Sequence, residues 1–406
     1  MSDFVQRMRL AGGLRAGMRL HAAQSLVRHQ VSMFTGEIWK EPSRVVWTNM
    51  GMPPELFYAA GYLPVNTELT AGWSSTLNLA AKYLTIAEQK GFGQNLCSYH
   101  KAIIGAMECG DLPSPRLAVM SSHICDGGRG LLSYFASRFR TKTCMIQVPY
   151  GQTDEGNRYV QRQLQECYSK IARSASWPSA VRELQSAIQC SNQARRWLTN
   201  ANALRKKDVL FPGNDAIRNL FGATFLFGSA LGIQITREYC QQLVELAARG
   251  EPALLEGHRI LWIHFAPLYA GRLMRYFEET LRCPIAFDIT GHPYWEEMRR
   301  DTPFQSLAQK MASHFFLGSS RGRIKLYRHL VQEYQIRGIV MLMHQGCKAI
   351  PASSWELREL GRQIQIPYLE LPGDCVDPRS FGEEQTRLRM EAFAECLGRR
   401  QHGSGN

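Results

Sequence analysis

AVMSSHICDGG (118–128) and IVMLMHQGCKA (339–349) are two uncharged, apolar openings, each running into a histidine and, within three residues of it, a cysteine. A short apolar run without polar alternation suits a strand buried on both faces of a parallel sheet. Six further β-rich runs flank the two that end in these segments. The first group covers 44–48, 63–66, 116–121 and 143–148; the second covers 259–264, 284–289, 338–343 and 367–371. Helical patterns lie between them, as βαβ units require.

The spacing therefore predicts an α/β chain with two parallel four-stranded sheets and helical N-terminal and central segments. The expected divisions are a helical lead over 1–43, a first sheet domain over 44–150, a helical bridge over 151–257, a second sheet domain over 258–397 and a flexible tail over 398–406. The bridge reads as helix because Leu164, Tyr168 and Ile171 recur at helical spacing. The final helix is expected over 383–397, following the turn signal Asp377-Pro378.

With 406 residues, 45% hydrophobic and 20% charged, the chain is long enough for two or three packed domains. Its 48 Lys and Arg against 35 Asp and Glu suit an anionic partner. The densest basic clusters, Arg195-Arg196, Arg205-Lys206-Lys207 and Arg399-Arg400, lack aromatic interleaving, so no nucleic-acid partner is expected. No membrane span is expected either, because the longest uncharged stretch, 220–235, is short and broken by glycines. Eleven cysteines, an odd number in no small disulfide pattern and without a secretory signal, lead to the expectation of a reducing cytoplasm.

Ligands of parallel α/β sheets bind at the carboxyl ends of strands, which makes Cys125 and Cys347 equivalent, favoured positions of two similar halves. Two facing domains could present both to one cleft. Cys97, in GFGQNLCSYHKAIIGA, stands at a helix start, where a thiolate is favoured. Such cysteines are compatible with buried apolar thiols, with zinc shared with His100, His123 and His344, or with an iron-sulfur cluster. His123 and His344 are further candidates for moving protons. Gly-Lys occurs nowhere and no GxGxxG opens a helix after a strand, so the chain reads as neither a P-loop ATPase nor an NAD enzyme.

PPELFYAAGYLPV (53–65), LCSYHKAIIGAMECGDLPSPRLAVMSSHICDGGRGLLSYF (96–135), HQGCKA (344–349) and IPYLELPGDCVDPRSFGEEQTRLRMEAFAECL (366–397) together resemble the 2-hydroxyacyl-CoA dehydratase D-component family. That family also includes two subunits of benzoyl-CoA reductase. The resemblance implies two Rossmann-like domains and a 4Fe-4S cluster on Cys97, Cys125 and Cys347. It also implies a glutamate, here Glu55, that assists proton movement near the substrate. FFLGSSRGRIK, without cysteine, matches the members with a single cluster.

The chemistry so implied is radical dehydration of an (R)-2-hydroxyacyl-CoA to a 2-enoyl-CoA in anaerobic metabolism. A separate ATP-dependent iron-sulfur activator protein supplies one electron, the thioester becomes a ketyl radical, and the hydroxyl and a β-proton leave. The partners would be that activator, the acyl-CoA substrate and a related second subunit, or a second copy in a homodimer. Reduction of an aromatic acyl-CoA is the neighbouring alternative. A non-catalytic scaffold that binds CoA esters or a partner, with or without zinc, is the alternative of another class.

Overall fold

The uncharged runs form strands close to where their composition places them. In the first half these are β1 (Val45–Thr48), β2 (Leu63–Asn66), β3 (Leu117–Ser121) and β4 (Lys142–Ile146). In the second they are β5 (Ile260–Ile263), β6 (Ile285–Asp288), β7 (Gly338–His344) and β8 (Tyr368–Gly373). The computed structural model describes residues 2–14, 18, 20–249, 256–317, 320–379 and 381–403.

Both sheets are parallel and share one order, β2-β1-β3-β4 and β6-β5-β7-β8. The class is α/β, as the spacing indicates. β1, β5 and β6 are buried at every position and nearly all of β7 is, which explains why these strands show no polar alternation. Trp47 of β1 meets Phe135 edge-on, and Trp262 of β5 is fully buried.

The chain divides into two compact units. One comprises Met1–Leu198, Gly222–Tyr239 and Pro293–Gly318; the other comprises Thr199–Phe221, Cys240–His292 and Ser319–Asn406. Between β4 and β5 the chain forms helices Asp154–Ile171, Trp177–Lys207, Gly213–Thr224 and Ala230–Ala248. The last three of these are shared between the units. The uncharged segment 220–235 ends one of them, makes the turn at 225–229 and begins the next. The final helix, Glu383–Gly403, runs past its expected end at Leu397 into the stretch read as a flexible tail, of which residues 404–406 lie outside the described residues.

Within the first unit the order β2-β1-β3-β4 makes the carboxyl ends of β1 and β3 a switch point, where successive connections leave in opposite directions. Asn49 bridges the two strand ends. Its amide donates to the Ser121 carbonyl at 2.9 Å, and its Oδ1 accepts from the Ser121 backbone N–H at 3.1 Å and from the Ser121 hydroxyl at 3.2 Å. Gly51 follows in the same loop because a Cβ there would collide with the side chains of Ser121, Ile124 and His123.

Helix Ser98–Glu108, which starts at Cys97, packs closely on helix Ala80–Gln89 through Gly105, where a Cβ would drive into the backbone carbonyl of Tyr83. Backbone cannot give way as a flexible side chain can. Gly105→Ala is therefore expected to destabilise the chain by about 2 kcal/mol or more despite alanine's better helix propensity. A lowered urea midpoint would show it; an unchanged or raised midpoint would remove this packing constraint.

Candidate active site

In the first unit β3 ends at Ser121, and four residues later Cys125 occupies the N-cap of helix Asp126–Phe139. Cys97 occupies the N-cap of helix Ser98–Glu108. Each thiol thus stands where the helix dipole favours negative charge. His100, one turn after Cys97, places its Nε2 3.4 Å from the Cys125 sulfur. A Cβ on Gly127 would strike this imidazole, so the glycine permits the close approach. Burial lowers the His100 pKa to about 4, which keeps the ring neutral. Lys101 anchors the same helical turn through its ion pair with Glu88 at 2.9 Å.

His123 is buried, and neither of its ring nitrogens has a hydrogen-bond partner among the described residues. Burial lowers its pKa to about 3. Its ring stands edge-on to His314 at 5.6 Å, and His314 in turn meets Tyr294 at 4.5 Å.

Glu55 lies in the first turn of helix Pro54–Ala59 but does not cap it; the carboxylate points into the protein and is fully buried. Its Oε1 accepts from the Ser191 hydroxyl and from the Lys310 ammonium, both at 2.6 Å. Lys310 is itself buried and lies 4.3 Å above the Trp295 ring, a cation–π contact that replaces part of its lost hydration. Oε2 has no partner among the described residues. Gly228 presses on the backbone side, where a Cβ would come within 2.7 Å of the Glu55 Cα. Asn192 fixes the segment carrying Trp295 by exchanging two hydrogen bonds with the Met298 backbone, at 2.8 and 3.0 Å. A pocket of about 310 Å³ is lined by Lys310 and Trp295, with Gln152, Asn157 and Gln309 among its other walls.

In the second unit β7 ends at His344, and Cys347 follows in the turn, its N–H donating to the His344 carbonyl at 3.1 Å. Burial pushes the Cys347 thiol up, against the backbone N–H groups of Ile350 and Ala349 and the Arg323 guanidinium. The His344 Nδ1 accepts from the Cys375 N–H at 3.0 Å, which leaves the ring's proton for Nε2. His264, at the end of β5, faces His344 at 5.3 Å and has its Nδ1 3.4 Å from the Cys375 sulfur.

The structure thus joins Cys125 to His100 and sets Cys97 one turn away. It pairs Glu55 with Lys310, and it places Cys347 beside His344 in the second unit. Lys310, Ser191, His314 and His264 carry no motif that singles them out in the sequence. Among the described residues no three His, Cys, Asp or Glu side chains converge on a point that could hold a single metal ion. Soft thiols at helix N-termini, with a glycine leaving room beside one of them, fit thiolate ligation of iron.

A sequence profile described as "2-hydroxyglutaryl-CoA dehydratase, D-component" matches residues 49–397. The chain belongs to the 2-hydroxyglutaryl-CoA dehydratase D-component family. Among curated members, the (R)-phenyllactyl-CoA dehydratase alpha subunit of Clostridium sporogenes is 20% identical over 87% of this chain and 89% of its own length. The lactoyl-CoA dehydratase alpha subunit of Anaerotignum propionicum is 21% identical over 87% and 90%. A benzoyl-CoA reductase subunit of Thauera aromatica is 22% identical over 78% and 80%. The matched residues of this D-component family member run from just after β1 into the final helix and take in the other seven strands.

Two outcomes follow from the buried charges. Lys310→Met strands the Glu55 carboxylate and should cost about 3–5 kcal/mol, whereas the double variant Lys310→Met, Glu55→Gln should recover most of that loss. Denaturant unfolding of the full cycle checks it; additive losses would mean that the pair is not coupled.

His314 and His264 are held well below 6.5 chiefly by burial, so they bind protons in the unfolded chain before they do in the folded one. Each should withdraw up to about 1.4 kcal/mol of stability per pH unit as pH falls below 6.5. Glu68 and Glu278, both raised to about 7 by burial, act in the opposite direction over the same range. The histidine share is therefore read as the difference in slope between wild type and His314→Gln. Equal slopes would contradict it.

Proposed function

We propose that this chain is the iron-sulfur subunit of a 2-hydroxyacyl-CoA dehydratase. It acts beside a second subunit and takes one electron from an ATP-dependent iron-sulfur activator to convert an (R)-2-hydroxyacyl-CoA into a 2-enoyl-CoA. Cys97, Cys125 and Cys347 are the cluster ligands in this reading. The observation that carries it is the Cys125 thiol, set on a helix N-terminus at the switch point of a family-matched sheet, with Cys97 on a second N-terminus beside it.

A 4Fe-4S cluster held by three thiolates supplies an electron relay and one iron with a free position for substrate. The protein's own part is positioning and proton handling. Two of the ligands stand at helix N-termini, whose dipole favours the charge a thiolate ligand carries. Glu55 is the base for the β-proton: Ser191 and Lys310 occupy Oε1 and fix the plane of the carboxylate, which leaves Oε2 as the acceptor. His123 and His344 are second candidates for proton transfer; His344 is oriented by the Cys375 N–H so that Nε2 carries the proton.

The described cysteines are all free thiols, which supports a reducing, cytoplasmic setting. No described helix is long and apolar enough to cross a membrane. The similarity to a benzoyl-CoA reductase favours a second reading, one-electron reduction of an aromatic acyl-CoA on the same thiolates.

Anaerobic reconstitution tests the proposal. Wild type should take up about four iron and four acid-labile sulfide and give an EPR signal on reduction, while Cys125→Ala and Cys347→Ala should lose both. Zinc without sulfide, or unchanged cluster content in the variants, would overturn the ligand assignment. Assays with a second subunit and reduced activator then offer (R)-2-hydroxyacyl-CoA and aromatic acyl-CoA in parallel, and turnover of the aromatic ester alone would replace dehydration by reduction.

A further inference from the structure

β1 and β5 hold the same place in the shared strand order, and each is followed at once by one polar residue, Asn49 in the first unit and His264 in the second. Asn49 uses its amide to bridge to Ser121 across the strand ends. Among the described residues His264 makes no such bridge. Its Nδ1 accepts from the N–H of its own neighbour, Phe265, at 2.8 Å, and lies 3.4 Å from the Cys375 sulfur. Because Nδ1 is an acceptor, the ring is neutral and its proton is on Nε2. That Nε2 has no hydrogen-bond partner among the described residues, although His264 is only 3% exposed.

The backbone of His264 has φ +79°, in the left-handed region that a residue with a Cβ enters only under constraint from its surroundings. His264 and His344, at the end of β7, both turn Nδ1 to Cys375, and their rings lie 5.3 Å apart with a tilt of 31°. The Nε2 edge of His264 therefore faces away from Cys375. β5 and β7 are the strands between which the order β6-β5-β7-β8 reverses direction, and ligands of parallel sheets bind at the carboxyl ends of such a pair. A strained residue thus holds a buried, unmet donor at the switch point of the second sheet, where it costs stability and adds no bond to the fold.

We propose that His264 is a substrate-binding residue whose Nε2–H donates to the carbonyl oxygen of an acyl thioester. The inference rests on the function proposed above and adds to it the group that holds the reacting carbonyl. The other side chains at these strand ends suit that oxygen less well: the Tyr269 hydroxyl donates to the Asp374 carbonyl at 2.7 Å, and the Asp374 carboxylate brings only acceptors. A fixed donor in a dry site binds a neutral carbonyl, and binds it more strongly once an electron has made the oxygen anionic, with no reorganisation and no change in its own protonation.

Two substitutions separate this role from a structural one. His264→Asn sets its Oδ1 where Nδ1 stands and tolerates positive φ, but has nothing at Nε2. His264→Gln reaches the Nε2 position with an amide N–H and gives up the bond to Phe265. The metal-free, full-length chain is mixed with (R)-lactoyl-CoA, the smallest chiral ester of the proposed class, labelled with carbon-13 at the carbonyl. In isotope-edited infrared difference spectra the carbonyl stretch of the bound ester should lie below that of the free ester in wild type and in His264→Gln, and return toward the free value in His264→Asn. In the reconstituted chain with second subunit and reduced activator, kcat should fall about a hundredfold in His264→Asn, with KM changed far less, and recover in His264→Gln. The reverse order, with His264→Asn intact and His264→Gln impaired, is what a purely structural role requires and overturns the proposal. An unshifted stretch in wild type, or no binding of the ester, overturns it too. Matching urea midpoints show that a lost signal is not lost folding; should both variants unfold, the Nε2–H resonance of His264 in nitrogen-15 histidine-labelled wild type must move downfield on addition of the ester, and a stationary resonance counts against the assignment. Wild type that takes up iron and sulfide and turns over, with His264→Asn its equal, sinks this inference alone, whereas wild type that takes up neither the cluster nor the ester sinks the proposed function as well.

Discussion

Where β1 and β3 end side by side, the sheet's hydrogen-bond ladder stops, and the Asn49 carboxamide takes over its work. One amide group supplies a donor and an acceptor that reproduce the spacing of a backbone unit, and it satisfies both the N–H and the carbonyl of Ser121. A buried backbone group left unpaired there would cost about 1–3 kcal/mol. The clamp also sets the distance between the two strand ends, and with it the loop that bears Gly51 and the turn that carries Ser121 forward to Cys125. The helix that Cys125 caps, and the contact of Cys125 with His100, inherit their positions from that spacing.

Charge is handled differently a short distance along the chain. Removing both Glu55 and Lys310 from water is expensive, and Coulomb attraction alone seldom recovers that cost. Here two further contacts contribute: the Ser191 hydroxyl on the carboxylate and the Trp295 face under the ammonium. Even so, an apolar pair of similar volume would serve stability as well or better.

Much of the framework was legible in the sequence because strands buried on both faces must be written as uninterrupted apolar runs. The eight runs fall on the eight strands, and the recurring His-then-Cys ending falls on β3 and β7. The partition of the central helices was not legible. Periodicity records which face of a helix is apolar but not which unit covers it, so Trp177–Lys207 reads as one element although its two ends belong to different units. Lys310 was invisible for a related reason: it lies 255 residues from Glu55, and in sequence it is one cation on an amphipathic helix. Ser191 is likewise 136 residues away, within the long helix. His123 and Cys125 could be read because only Ile124 separates them; the partner of a buried charge across the fold cannot.

The two halves share a strand order but use their carboxylates differently. In the second unit Glu278 accepts from the backbone of Gly213, Asn214 and Ile285. Asp288 meets Gly291, Thr290 and Arg205, and Asp374 takes the N–H groups of Val376 and Asp377 while its other oxygen faces His344. Each of these carboxylates is committed to holding a turn or a helix in place. In the first unit Glu68 and Asp111 are engaged in the same way. Glu55 keeps a buried Oε2 without a partner among the described residues, as does the less deeply buried Glu238. Folding has no use for an unmet acceptor in a dry interior, since it carries a desolvation cost and returns no bond. The hydrogen bonds that hold turns and helices thus account for Glu278, Asp288, Asp374, Glu68 and Asp111, whereas Glu55 is held through one oxygen by side chains distant in sequence.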